Sequence, residues 1–286
     1  MPKLITEVPA ARPDFDSGFG HRIMVLGSCF ADSVGAKMLA AGLDVCLNPF
    51  GTLYNPASIS SAIGRLGSGR AFEERDCVQM GAGSQLICSF SHHTRFARAT
   101  SEEFLENANR TLAEASGFWK GCDRVIITLG TSMVWKRRDN GETVSNCLKR
   151  PEAEFLHERL TVEEIASGLK RMFSSYPEKK FIISISPIRH LSEGAHENSL
   201  NKACLLLGVE QALKAADNAY YFPSYEIVLD ELRDYRFYAE DLVHPSNTAV
   251  ELIWERFQDA FIPSAQKSRI IENEKAARRA AHRNIH

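Results

Sequence analysis

The chain reads as an α/β protein with a parallel sheet covered by helices on both faces. Three observations predict this class. Short apolar runs recur along the chain, each run ends in glycine or serine, and amphipathic helical segments lie between them.

The first run, Arg22-Ile23-Met24-Val25-Leu26, ends at Gly27, after which Phe30, Val34, Met38 and Leu39 fall at helical spacing as far as Ala41. The pattern predicts strand, tight turn and helix. It returns at Arg124-Val125-Ile126-Ile127-Thr128-Leu129 before Gly130, and at Lys180-Phe181-Ile182-Ile183-Ser184-Ile185 before Ser186-Pro187. Helices are predicted over residues 101–118, 161–173, 198–217 and 247–261. Two stretches break the alternation. Residues 77–96 mix alternating and aromatic character, and residues 134–148 carry the turn signal Asp139-Asn140-Gly141, so both predict hairpin-like insertions. The clustered glycines of Gly64-Arg65-Leu66-Gly67-Ser68-Gly69 follow a helical segment and match neither a dinucleotide nor a Walker-type fingerprint. Residues 267–286, rich in alanine and basic side chains, predict a frayed helix or solvated tail. The expected organisation is an N-terminal segment (1–20), one catalytic-type domain (21–262) and a basic C-terminal tail (263–286).

Composition narrows the function classes. Hydrophobic residues at 44% and charged residues at 24% of 286 are values at which a chain buries a core and folds. A net charge of −2 provides no field for nucleic acid or an anionic membrane, so a small-molecule or carbohydrate substrate is expected, with no nucleic-acid or membrane partner. No signal-peptide pattern or apolar span is present, which predicts a cytoplasmic protein. Seven dispersed cysteines without a Cys-x-x-Cys pair predict buried thiols rather than a disulfide framework or metal site. His92-His93 lacks a spaced partner, and no metal role is expected for it.

In an open parallel sheet, ligands bind beyond the carboxyl ends of the strands, so strand-end residues carry the information. These are Gly27-Ser28-Cys29, Gly130-Thr131-Ser132 and Ser186-Pro187-Ile188-Arg189-His190. A hydroxyl or thiol at the start of the first helix gains from the helix N-terminus. The second element is Asp241-Leu242-Val243-His244-Pro245. An Asp three residues before a His can fold back to accept its Nδ1 proton and hold Nε2 toward a nucleophile, with Pro245 stiffening the start of the last helix.

Five ordered blocks carry a resemblance: Gly27-Ser28-Cys29-Phe30-Ala31, Asn48-Pro49-Phe50-Gly51-Thr52, Thr128-Leu129-Gly130-Thr131-Ser132, Ser186-Pro187-Ile188-Arg189-His190 and Asp241-Leu242-Val243-His244-Pro245. Over roughly residues 20–262 the chain resembles the GSCFA domain family, which is similar to the SGNH/GDSL hydrolases. The resemblance implies a flavodoxin-like three-layer α/β/α fold and a Ser-His-Asp site acting on esters. Two alignments of the first block stay open: keeping the glycine turn makes Cys29 the nucleophile, and aligning the serine makes it Ser28. The Gly-x-Asn-Asp oxyanion block is replaced here by Gly130-Thr131-Ser132-Met133, without its asparagine. Candidate oxyanion or substrate contacts are therefore Gly51, Asn48, Gly130, Thr131, Ser132, Arg189 and His190.

The expected chemistry is acyl transfer without a cofactor, with His244 as base, Asp241 orienting it, and Cys29 or Ser28 attacking. Water as acceptor gives an esterase or deacylase, and a sugar hydroxyl gives an O-acyltransferase. The rival from another class is a non-catalytic ligand-binding module on the same fold, which the missing asparagine favours. Oligomeric state is not legible in the sequence.

Overall fold

The three apolar runs become the centre of a five-stranded parallel sheet in the computed structural model, which describes residues 5–10 and 12–283. Residues 1–4, 11 and 284–286, which belong to the expected N-terminal segment and tail, lie outside the described residues. In chain order, β1 (Arg22–Gly27) leads into α1 (Cys29–Ala40), and β2 (Asp44–Leu47) into α2 (Pro56–Ser68). A hairpin of β3 (Val78–Gln79) and β4 (Ile87–Cys88) precedes α3 (Ser101–Gly121). After β5 (Arg124–Leu129) comes a separate antiparallel sheet of β6 (Met133–Arg137), β7 (Thr143–Val144) and β8 (Phe155–Arg159), followed by α4 (Val162–Ser175). Next are β9 (Lys180–Ile185), α5 (Ala195–Leu213), β10 (Ala219–Tyr221) and α6 (Ser224–Glu226), which runs on as a π-helical segment, Ile227–Leu232. The last two helices are α7 (Asn247–Phe261) and α8 (Lys267–Arg283).

The main sheet runs β10-β9-β5-β1-β2, all parallel. This is the doubly wound, flavodoxin-like order, and its direction of winding reverses between β1 and β5. Strand alternation divides the core between the two faces. Met24, Leu26, Val125 and Ile127 pack with α2, α3, α4 and α5, whereas Ile23, Val25 and Ile126 pack with α1 and α7. The fold is therefore a three-layer α/β/α sandwich with small antiparallel insertions. Among the described residues, no helix is long and apolar enough to cross a membrane.

Where the structure differs from the sequence reading, the causes are local. The outer strands β2 and β10 are four and three residues long and only partly buried, too short to show a period. Gly64 and Gly67 lie inside α2 instead of following it. Gly67 lets the Tyr176 ring approach, and only Gly69 ends the helix, in a left-handed conformation at φ +62°. Helix α5 begins three residues earlier and ends four residues sooner than expected. Of the cysteines, only Cys88 and Cys122 are fully buried; the other five are partly exposed.

The largest correction concerns the tail. Residues 267–283 form α8, which docks against α1 and α7. Ile270 is fully buried, Asn273 Nδ2 donates to the Ala41 carbonyl at 2.8 Å, and Trp254 Nε1 donates to Glu274 Oε1 at 2.8 Å. The sequence concealed this because only Ile270 is a large buried apolar residue in a helix made mostly of polar residues and alanine. Upstream, Gln266 accepts the Phe19 N–H at 2.7 Å, so the N-terminal segment is held by the same corner.

Beneath the β3–β4 hairpin, His92 sits fully buried in a cage of Phe50, Phe72, Phe96 and Phe104, with Nδ1 2.6 Å from Ser89 Oγ. Burial, with Arg65 adding repulsion, pulls its pKa down to about 3. The unfolded chain then binds a proton that the folded chain refuses, so stability falls as pH drops below the ordinary histidine value toward 3.

Two predictions follow from this packing. Ile270→Ala should lower unfolding stability by about 2–4 kcal/mol in denaturant titrations, and truncation after Pro263 should destabilise further. Wild-type stability should fall between pH 6 and pH 4 more steeply than that of the His92→Leu/Ser89→Ala variant, by up to about 1.4 kcal/mol per pH unit. Parallel pH profiles would assign the acid sensitivity elsewhere.

Candidate active site

The turn after β1 is built from the inside. Gly27, at φ +149°, lies so close to β5 that a Cβ would overlap the Thr128 hydroxyl and carbonyl oxygens. Its N–H donates to Asn48 Oδ1 at 2.9 Å, and Asn48 Nδ2 donates to Asp32 Oδ1 on α1 at 2.7 Å. Asn48 is itself fully buried, with a left-handed backbone at φ +40° that asparagine tolerates better than most residues. One side chain thus ties the loop after β2 to both the end of β1 and the start of α1.

The two candidate nucleophiles then separate. Ser28 is 0% exposed and is the N-cap of α1, its Oγ accepting the Phe30 N–H at 3.3 Å and lying 3.4 Å from Thr128 Oγ1. Cys29 is the first residue of the helix, is partly exposed and lines a cleft of about 640 Å³. Its backbone N–H is one that the helix leaves without an internal partner, and its thiol sits where the helix dipole favours negative charge. Burial pushes the thiols of Cys46, Cys88, Cys122 and Cys147 up to about 11, so each of them is held protonated.

His244 lines the same cleft from the loop before α7. Asp241 folds back beneath it: Oδ1 accepts the N–H groups of Val243 (2.9 Å) and His244 (3.0 Å), and Oδ2 lies 2.7 Å from His244 Nδ1. The backbone donors of His244 and Val243, with the imidazole behind them, hold the Asp241 carboxyl down at about 2. It is an anion at any working pH and accepts the Nδ1 proton, which fixes Nδ1 as the ring nitrogen turned toward Asp241. The loop is fixed to the end of β9, since Arg189 N–H donates to the Val243 carbonyl (3.1 Å) and Arg189 Nη1 to the Leu242 carbonyl (2.9 Å). Ser246, rather than Pro245, caps α7 by accepting the Ala249 N–H at 3.2 Å.

The remaining candidates divide. Thr131 and His190 line the cleft, whereas Ser28, Asn48, Gly51, Gly130, Ser132 and Arg189 do not. Gly51 N–H is taken by the Asn48 carbonyl (2.8 Å), and the Gly130 and Thr131 N–H groups both go to the Tyr54 carbonyl (2.8 and 3.0 Å), so these amides are spent as oxyanion donors. Ser132 Oγ donates to Asn201 Oδ1 at 2.8 Å, and the Arg189 side chain braces the His244 loop. These are corrections to the sequence reading: a strand-end position places a backbone near the site but does not aim its polar groups into it. Burial, with Lys202 and His244 adding to it, pulls His190 down to about 4, so it is neutral at pH 7. Its Nε2 has no hydrogen-bond partner among the described residues.

Sequence reasoning did not place Tyr54 or Lys202 at the site, and it read Asn55 as turn chemistry. Tyr54 lines the cleft with its hydroxyl 3.7 Å from Cys29 Sγ. Asn55 lines it too, and its Oδ1 caps α2 at Ser58 N–H (2.8 Å), which leaves Nδ2 as the donor the cap does not use. Lys202 is completely buried under the strand ends, donating to the Gly130 and Ser186 carbonyls at 2.7 Å each, and burial brings its pKa down to about 7. Asn55-Pro56 is a visible helix-start signal, but nothing in local spacing marks Tyr54 or Lys202.

The fold and site together define a doubly wound α/β protein with a cysteine, a histidine and an aspartate assembled at the strand ends. The chain belongs to the GSCFA family, whose model matches residues 22–257. No curated protein matches it significantly. Among solved structures, an acetyl xylan esterase from the rumen bacterium Butyrivibrio proteoclasticus aligns over 84% of this chain, with 11% identity and a TM-score of 0.40. The chain spans 63% of that protein's length.

Asn48→Ala should cost about 1–3 kcal/mol, because the Gly27 N–H is left buried without an acceptor. It should also slow alkylation of Cys29 by iodoacetamide through a loosened turn. Stability unchanged in denaturant titration would show that the clamp is dispensable.

Proposed function

We propose that the protein is an acyl-transfer enzyme that cleaves an O-acyl ester through a thioester on Cys29. The observation that carries this reading is that Cys29 and His244 line one cleft at the reversal of the sheet, with Asp241 2.7 Å behind the imidazole, while Ser28 is buried as a helix cap. His244 Nε2 takes the Cys29 proton as sulfur attacks the acyl carbon, and the carbonyl electron pair moves to oxygen. When the pair returns, the bond to the alcohol breaks and His244 gives its proton to the leaving oxygen. In the second half, His244 deprotonates a water that attacks the thioester; the carbon–sulfur bond then breaks, His244 returns the proton to Cys29 sulfur, and the acid leaves. The Cys29 N–H is the first oxyanion donor. The chemistry proposed needs no cofactor.

The alcohol side of the substrate is proposed to be a small molecule or carbohydrate. The antiparallel insertion supplies Trp135 and His157 to the cleft, stacked at 3.9 Å with their planes 8° apart, alongside the polar side chains of Asn146 and Asn201. A flat aromatic surface beside amide groups suits a ring with one apolar face and hydroxyl edges. A sugar hydroxyl arriving in place of water would make the same acyl-enzyme an O-acyltransferase.

With p-nitrophenyl acetate, wild type should give a burst and an acetyl group on the peptide carrying Cys29. Cys29→Ala and His244→Ala should lose it, Ser28→Ala should retain part of it, and Asp241→Asn should lower kcat by up to about 10⁴-fold. An acetyl group found on Ser28 would reassign the nucleophile. No adduct in the wild type, with turnover indifferent to all four substitutions, would leave a binding module on a hydrolase-like fold.

A further inference from the structure

The Gly51, Gly130 and Thr131 N–H groups are already bonded, which leaves the Cys29 N–H as the backbone donor and a second donor to come from a side chain. Tyr54 is the side chain placed to fill this role. Its carbonyl accepts both the Gly130 and Thr131 N–H groups, which pins the loop after β2 to the end of β5. Its ring packs edge-on against His190 at 6.0 Å. Its hydroxyl then lies 3.7 Å from Cys29 Sγ and 3.3 Å from Thr52 Oγ1.

We propose that Tyr54 is a catalytic residue that donates its hydroxyl hydrogen to the oxyanion formed on the acyl carbon when Cys29 attacks; this rests on the acyl-transfer reading above. The oxyanion is two bonds from the sulfur. A donor 3.7 Å from Sγ therefore stands where such an oxygen comes within the roughly 2.7–3.1 Å of a working oxyanion contact. Burial pushes the Tyr54 hydroxyl up to about 12, so it is a donor throughout the neutral range. Thr52 Oγ1, on its other side, is placed to donate to the phenolic oxygen and so hold the Tyr54 hydrogen toward the substrate. No proton leaves Tyr54. The sulfur–carbon bond forms while the carbonyl pair sits on oxygen under this hydrogen bond, and the pair returns as the alcohol departs with the proton from His244. Tyr54 with the Cys29 N–H thus supplies a two-donor hole without the asparagine that the hydrolase pattern uses.

The test compares two reactions of the same sulfur in the full chain. Acyl transfer from p-nitrophenyl acetate passes through an oxyanion, whereas alkylation by iodoacetamide does not. For Tyr54→Phe, kcat should fall about 10²-fold with KM nearly unchanged, and the rate of Cys29 alkylation should stay within about threefold of wild type. Unchanged turnover overturns the proposal. An equal loss in both reactions also overturns it, since Tyr54 would then act on the thiol and not on the oxyanion. If Tyr54→Phe does not fold by circular dichroism, Thr52→Val should show the same split with smaller amplitude, and equal losses there overturn it as well. A wild-type chain that takes no acetyl group on Cys29 brings down the acyl-transfer reading itself, and is recognised before any Tyr54 variant is made.

Discussion

The hydrogen bonds of Asn48 set the geometry on which the site depends. Its carboxamide accepts from Gly27 and donates to Asp32, joining the end of β1, the loop after β2 and the first turn of α1 through one buried group. Both atoms of that amide are spent, and leaving either partner unbonded in a dry interior costs more than the bond itself contributes in water. The close approach of Gly27 to Thr128 leaves the chain no room to relax. Ser28 must then serve as the cap and Cys29 as the first helical residue. The position of Cys29 is a consequence of that packing, not of anything cysteine does for itself.

A second constraint lies below the cleft. Parallel strands end in carbonyls that point toward the site, and Lys202 spans two of these ends through Gly130 and Ser186. Burial opposes its charge while the carbonyls favour it. Burial keeps the neighbouring His190 ring neutral, with Lys202 and His244 adding to it. The cleft therefore presents two histidines whose Nδ1 faces a carboxylate, His244 with Asp241 and His157 with Glu193, and a third, His190, without such a partner.

The central architecture was legible because β1, β5 and β9 are mostly apolar runs that end in or are followed by glycine or serine, so period and punctuation agree. The Asp241–His244 pair was legible too, since three residues of separation close a turn whatever surrounds it. What could not be read depended on contacts far apart in sequence. The choice between Ser28 and Cys29 turns on Asn48, and Tyr54 reaches Cys29 across 25 positions. Lys202 bonds to a carbonyl 72 residues away. The docking of α8 was hidden for another reason: one fully buried isoleucine gives too weak a pattern in a helix made mostly of polar residues and alanine.

The antiparallel sheet of β6, β7 and β8 forms a wall of the cleft yet pairs with no strand of the parallel sheet. It is held to the rest of the chain by the Ser145 and Asn146 N–H groups on the Phe90 carbonyl and by Arg159 on Asn201, while the cysteine, histidine and aspartate are held by other elements. Selection could therefore reshape that wall, lengthening a hairpin or exchanging Trp135, without disturbing the reactive groups. Sequence differences among relatives are expected to collect in this module, where they would change the shape of one side of the cleft and leave the opposite side as it is.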